Sequence, residues 1–142
     1  MTKIETILIG INFTEDSRQA FYMGLDLASK YDAQTYILHV AEPIKAYDFG
    51  KRRYVETKET IERVQEGVTR RVNELWEQGG VDAVDRRRVQ VIVRGGRADD
   101  EIVASAVAKN VDLIVLGGTG GLCERIVRHA PCSVICVAPQ TD

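Results

Sequence analysis

Long apolar runs, an excess of charge of one sign and paired cysteines are all scarce in this 142-residue sequence. No run is long enough for a signal-peptide core or a membrane span, which predicts a cytoplasmic protein. The net charge of −2 gives no general reason to bind nucleic acid or an anionic membrane. Three cysteines without a CxxC pair argue against a disulfide framework and suit a reducing compartment.

The cysteines Cys123, Cys132 and Cys136 lie near the C-terminus, and His129 lies between the first two. Their spacing matches no zinc-ligand pattern and a fourth ligand is lacking, so we predict no metal site. We expect the thiols to be buried and to pack like small hydrophobic side chains.

Signatures of catalysis are also missing: the sequence contains no H-x-x-x-H, G-x-S-x-G or complete Walker A pattern. Asp99, Asp100 and Glu101 form an acidic cluster, but acidic residues in the first turn of a helix are ordinary partners of its dipole. We therefore predict that the protein is not an enzyme, with slow hydrolysis of a bound ATP left open.

Two kinds of apolar segment alternate along the chain and predict one α/β domain over residues 1–142. Four segments show the three-to-four spacing of helices, with Thr14 and Asp16 at the start of the first and Leu122 to His129 as the last. The third should bury Ile102, Val103, Ala106 and Val107. Five short, mainly apolar runs, of which the first is apolar throughout, are typical of parallel strands covered on both faces: Ile7–Ile11, Tyr36–Val40, Val89–Val93, Leu113–Leu116 and Val134–Val137.

This alternation implies right-handed crossovers and therefore a doubly wound, five-stranded parallel sheet with four helices on its two faces. Counted along the chain, the expected Rossmann-like strand order is 3-2-1-4-5. Residues 41–55 are the only long irregular connection in this scheme. They contain the basic cluster Lys51–Arg53 between Tyr47 and Tyr54, which makes them a candidate partner-binding segment.

A glycine cluster, Gly117–Gly121 with Thr119 within it, follows the fourth predicted strand and precedes the last helix. Such a turn presents backbone N–H groups and the positive end of a helix dipole to a phosphate. In open parallel sheets, ligands bind beyond the carboxyl ends of strands where the strand order reverses. That point lies between strands one and four, so the turn should meet residues 11–14. A plain strand-to-helix turn is the alternative reading of the same glycines.

Four segments, in this order, together resemble the universal stress protein family: Ile9–Ser17, Gly95–Asp99, Asp112–Gly117 and Arg128–Cys132. The resemblance covers nearly the whole chain. It implies a five-stranded parallel α/β sheet and a cytoplasmic stress-response protein, with ATP binding in some members. It also implies a homodimer through the last strand, here Val134, Ile135, Cys136 and Val137, and an unidentified protein partner.

The resemblance further assigns candidate nucleotide-binding residues: Ile11, Asn12, Phe13 and Val40 on the base and ribose side, and Gly117, Thr119, Gly120 and Gly121 on the phosphate side. ATP-binding members carry G-x-x-G, about nine further residues, and then glycine followed by Ser or Thr. Here the first half is present and the second does not follow. In addition, Asn12 stands where those members usually have aspartate.

We therefore expect a regulatory or sensor protein that binds ATP or another adenine nucleotide, with no metal of its own. The alternative is a nucleotide-free dimeric interaction module of the same fold. Its pocket loops would be filled by side chains such as Phe13, and its function would lie in the dimer surface and the long loop.

Overall fold

The computed structural model describes residues 3–41, 45–56, 58–81, 83–118 and 120–138. Within these ranges no helix is both long enough and apolar enough to span a membrane. The strands and helices follow one another as β1 (Thr6–Gly10), α1 (Glu15–Tyr31), β2 (Gln34–Ala41), β3 (Lys45–Asp48), β4 (Arg53–Glu56), α2 (Lys58–Gly79), β5 (Val89–Gly95), α3 (Ala98–Ala108), β6 (Leu113–Gly117), α4 (Leu122–His129) and β7 (Ser133–Val137).

Five of the strands form one parallel sheet in the order β5-β2-β1-β6-β7. This order confirms the predicted 3-2-1-4-5 arrangement. β1 lies in the middle, where Ile7 is in register with Thr35 of β2 and with Leu113 of β6. The chain winds outward from β1 in both directions, so the carboxyl ends of β1 and β6 flank the point where the order reverses.

Both faces of the sheet are covered, which explains why β6 is apolar throughout and β1 is apolar after Thr6. Ile7 and Ile9 of β1 pack in a core cluster with Phe21 of α1. Leu8, whose side chain points to the opposite face, packs in a second cluster with Ile126 of α4. All five side chains are fully buried. The alternation of faces along one strand therefore divides the core into two layers.

The connection between β2 and α2 is not wholly irregular, and that part of the prediction is wrong. β3 and β4 form an antiparallel hairpin in which Tyr47 and Tyr54 are directly opposite, with ring centroids 5.2 Å apart. Cross-strand aromatic pairs stabilise a hairpin. At its turn, Asp48 accepts hydrogen bonds from the backbone amides of Gly50 and Lys51. The exposed aromatic pair and the turn carboxylate explain why this segment forms a hairpin, which hydrophobic periodicity did not predict.

The expected state of the cysteines also needs correction, because Cys123 and Cys136 form a disulfide, which removes the cysteine-based argument for a reducing compartment. Packing of α4 against β7 brings their Cα atoms to 6.0 Å, an ordinary spacing for this bond. Cys132 remains a free, half-buried thiol. One further expectation fails on α3, where Val107 is 59% exposed rather than buried.

Candidate functional site

A cavity of about 190 Å³ opens at the carboxyl ends of β1, β2 and β6. Its polar wall comes from the loop between β1 and α1. Its apolar wall comes from β2, α3 and the start of α4. The side chains and backbone that enclose it include Asn12, Asp16, Val40, Ile102, Gly117 and Leu122. A concave site with one polar and one apolar wall is suited to a small organic ligand.

Local hydrogen bonds hold the loop between β1 and α1 in place. The side-chain oxygen of Asn12 accepts from the backbone amide of Thr14 at 3.2 Å and from its hydroxyl at 2.6 Å. Thr14 is the N-cap of α1 and accepts from the amide of Ser17. The Ser17 hydroxyl in turn accepts from the amide of Asn12. Asn12 therefore fixes the turn while it lies on the cavity wall.

Different features of the structure explain why glycine occupies each position at the end of β6 and just after it. A Cβ at Gly117 would lie 2.8 Å from the Cβ of Asp16, and one at Gly118 would lie 2.7 Å from the carbonyl oxygen of Val137. The Gly118 amide donates a hydrogen bond to that same carbonyl. Gly120 has open space around it but a φ of +82°, which favours glycine. Close packing explains the first two glycines, and backbone conformation explains the third.

Five of the candidate residues lie together on this cavity: Ile11, Asn12, Val40, Gly117 and Gly120. Gly121 is the N-cap of α4 and lies next to the lining residue Leu122. The eighth candidate, Thr119, lies outside the described residues.

Phe13 lies apart from that group. It has a φ of +63° and lines a different surface cavity together with Arg71. The Arg71 guanidinium is 3.8 Å from the centre of the Phe13 ring, and the His39 ring is 5.4 Å away on centroids. These contacts hold the Phe13 side chain away from the interior of the site.

Asp16 is the lining residue whose role the sequence pattern did not reveal. Its position in the first turn of α1 predicts only a favourable interaction with the helix dipole. In the structure its Oδ2 atom is enclosed and has no hydrogen-bond partner. No sequence signal indicates this, because it depends on how closely α1 approaches Gly117.

Beside the cavity, an ion pair between Asp99 and Arg125 joins α3 to α4, and Arg97 at the N-cap of α3 also pairs with Asp99. Asp99 lies 3.2 Å from Nη2 of Arg97 and 3.5 Å from Nε of Arg125. Burial raises the pKa of the Asp99 carboxyl, but the two arginines and nearby backbone amides outweigh this and leave that pKa below its ordinary value. No group of three or more His, Cys, Asp or Glu side chains able to hold a metal occurs in the part of the chain that the structure describes.

Comparison with known proteins gives the family. The model of the universal stress protein family matches residues 3–138. The chain belongs to this family. A Staphylococcus epidermidis protein that is provisionally named a universal stress protein is 26% identical over 152 residues, which cover 99% of this chain and 87% of the relative.

Solved structures of the family share the fold. A universal stress protein in complex with cAMP superposes with a TM-score of 0.75, covering 98% of this chain and 100% of the other at 14% identity. A universal stress protein from Archaeoglobus fulgidus in complex with dAMP gives a TM-score of 0.64, with coverages of 96% and 99% and 19% identity. At these identities the comparison establishes the doubly wound α/β architecture.

Proposed function

We propose that this universal stress protein is a regulatory protein of the cytoplasm, rather than an enzyme, that binds an adenine nucleotide in the cavity between β1 and β6 and works as a homodimer. The observation that carries the proposal is the convergence of Asn12, Val40, Gly117 and Gly120 on one cavity at the point where the strand order reverses. Ligands of open parallel sheets bind at such points.

The two walls of the cavity fit the two parts of a nucleotide. Apolar atoms of Leu38, Val40 and Ile102 offer a surface for a flat base. Asn12, Thr14 and the backbone at Gly120 offer polar groups for a ribose and a phosphate. Family structures solved with cAMP and dAMP give independent support for adenine as the base.

A pocket-filling variant tests the binding site. Val40→Trp should abolish binding of adenosine, AMP and ATP in titration calorimetry, because the indole would occupy the space of the base. Val107→Trp is the matched control: it makes the same substitution at an exposed position on α3 and should bind like the wild type.

Circular dichroism and thermal unfolding of both variants identify any loss that comes from misfolding. Absence of binding by the wild type to all three compounds, together with no adenine compound released when purified protein is denatured, would refute the adenine-binding proposal.

The homodimer proposal rests on β7, which lies at one edge of the parallel sheet. Val134 and Ile135 are only partly buried there, and an edge strand leaves backbone groups unpaired. Light scattering should give a mass of about twice the 15.8 kDa chain. Ile135→Arg should yield monomers, whereas Gln90→Arg on the opposite edge strand β5 should not. A wild-type monomer at working concentrations would contradict the dimer.

A further inference from the structure

Asp16 places a carboxylate in the wall of the proposed adenine site, next to the glycine turn. We propose that Asp16 makes this cavity select adenosine and singly phosphorylated adenine nucleotides over ATP. The inference rests on the adenine-binding function proposed above. It adds the charge class of the ligand and the residue that determines it.

The position of Asp16 relative to the turn is the first argument. A Cβ at Gly117 would lie 2.8 Å from the Cβ of Asp16 and 2.9 Å from its carbonyl carbon, so the two backbones are in direct contact. Both residues and Gly120 line the same cavity. A phosphate chain that approaches the amides of this turn therefore also approaches the Asp16 carboxylate, and like charges at such range repel.

The unmatched oxygen is the second argument. Oδ2 of Asp16 is enclosed and accepts no hydrogen bond, although enclosed carboxylate oxygens normally have a donor. The helix dipole explains a negative charge in this turn of α1 but does not supply a donor to that atom. The unprotonated oxygens of a polyphosphate could only repel it.

The third argument is the shortage of positive charge to balance a polyphosphate. None of the cavity-lining residues in the described part of the chain is Lys, Arg or His. Arg97 and Arg125, near the lining residues Ala98 and Leu122, are already paired with Asp99. The Gly118 amide already donates its hydrogen bond to the carbonyl oxygen of Val137. Each further phosphate therefore adds repulsion without adding a matching partner.

Calorimetric titration of the full chain with adenosine, AMP and ATP tests the inference, with ATP measured both with and without Mg²⁺. The wild type should bind ATP more weakly than adenosine and AMP. Asp16→Asn keeps the size of the side chain and removes its charge, so ATP affinity should rise about tenfold relative to adenosine. The matched control is Glu15→Gln, which makes the same change one residue earlier, at a side chain that is 70% exposed and lines a different cavity. It should leave the ratio unchanged.

Each outcome is decisive. A wild type that binds adenosine but shows the same ATP-to-adenosine ratio as Asp16→Asn would overturn the selectivity and leave the adenine site intact. Tighter binding of Mg²⁺-ATP to the wild type than to Asp16→Asn would also overturn it, since the carboxylate would then be a metal ligand. No binding of any adenine compound to either protein would overturn the proposed function and this inference with it. Binding of ATP only after the Asp16→Asn change would support both.

Discussion

Asp112 connects the start of β6 to the start of β1, and its removal should measurably destabilise the protein. One carboxylate oxygen, Oδ2, accepts from the backbone amides of Glu5 at 2.9 Å and Thr6 at 3.0 Å. The Asp112 amide completes the link by donating to the carbonyl of Thr6. The Asp112→Ala change removes both side-chain bonds and leaves the part-buried Thr6 amide without its acceptor.

The size of the effect follows from those two bonds. A hydrogen bond to a charged acceptor contributes about 1.5–3 kcal/mol, and the exposed bond to Glu5 counts toward the lower end or below. We expect Asp112→Ala to lower the free energy of unfolding by about 2 kcal/mol, which corresponds to a fall in Tm of about 7 °C for a chain of this length. Asp112→Asn keeps one carbonyl oxygen as acceptor and loses only the charge, so its loss should be about 1 kcal/mol.

Urea unfolding followed by the fluorescence of Trp76 measures these values, because this single tryptophan is 9% exposed and packs in the core. The measurements are made without reductant so that the disulfide stays intact. An Asp112→Ala protein within about 0.5 kcal/mol of the wild type, the usual range for neutral surface changes, would refute the reasoning.

Two predictions concern the cysteines. Cys136→Ser removes the disulfide to Cys123, which joins residues separated by 13 positions in the sequence. Urea titrations without reductant should show that the free energy of unfolding falls by about 2–4 kcal/mol. Equal stability of variant and wild type would contradict this. For Cys132, burial and the nearby Asp112 raise the pKa of the thiol. The folded state therefore favours the neutral thiol. The contribution of Cys132 to the free energy of unfolding is fully present below the pKa of this thiol in the unfolded chain. It is lost as the pH rises through the higher pKa of the thiol in the folded protein. Iodoacetamide should label Cys132 slowly at pH 8 in native protein and quickly in urea, and equal rates would contradict the prediction.

The sheet and its order could be predicted from the sequence because its strands are short, mainly apolar runs and the first four of them are each followed by a helical segment. Leu113–Leu116 is an example: all four residues are buried, so nothing in the run departs from the pattern of a central strand. The helix start at Thr14 was also predictable, since its hydroxyl accepts from the amide three residues later. Signals of this kind are local, and the sequence contains them in full.

Features that depend on contacts between distant segments could not be predicted in the same way. The disulfide requires α4 and β7 to pack at one spacing, and the sequence separation of 13 between Cys123 and Cys136 does not determine that spacing. Val107 has the spacing of a core residue but lies on an exposed part of α3. The β3–β4 hairpin forms without a hydrophobic periodicity in its sequence, because hydrogen bonds to the Asp48 carboxylate stabilise its turn and exposed aromatic rings pair across its strands.

The candidate site combines both kinds of feature. The glycine turn and Asn12 follow strand ends, so their meeting is a consequence of topology and could be anticipated. The enclosed oxygen of Asp16 results from the close approach of α1 to Gly117, which only the folded chain reveals. Gly117 is required here because any side chain would strike Asp16. The same contact that explains this glycine by packing therefore also brings a negative charge to the turn. If the site binds a nucleotide as we propose, glycine spacing alone is an incomplete guide to its phosphate binding, because the Asp16 charge beside the turn repels each added phosphate.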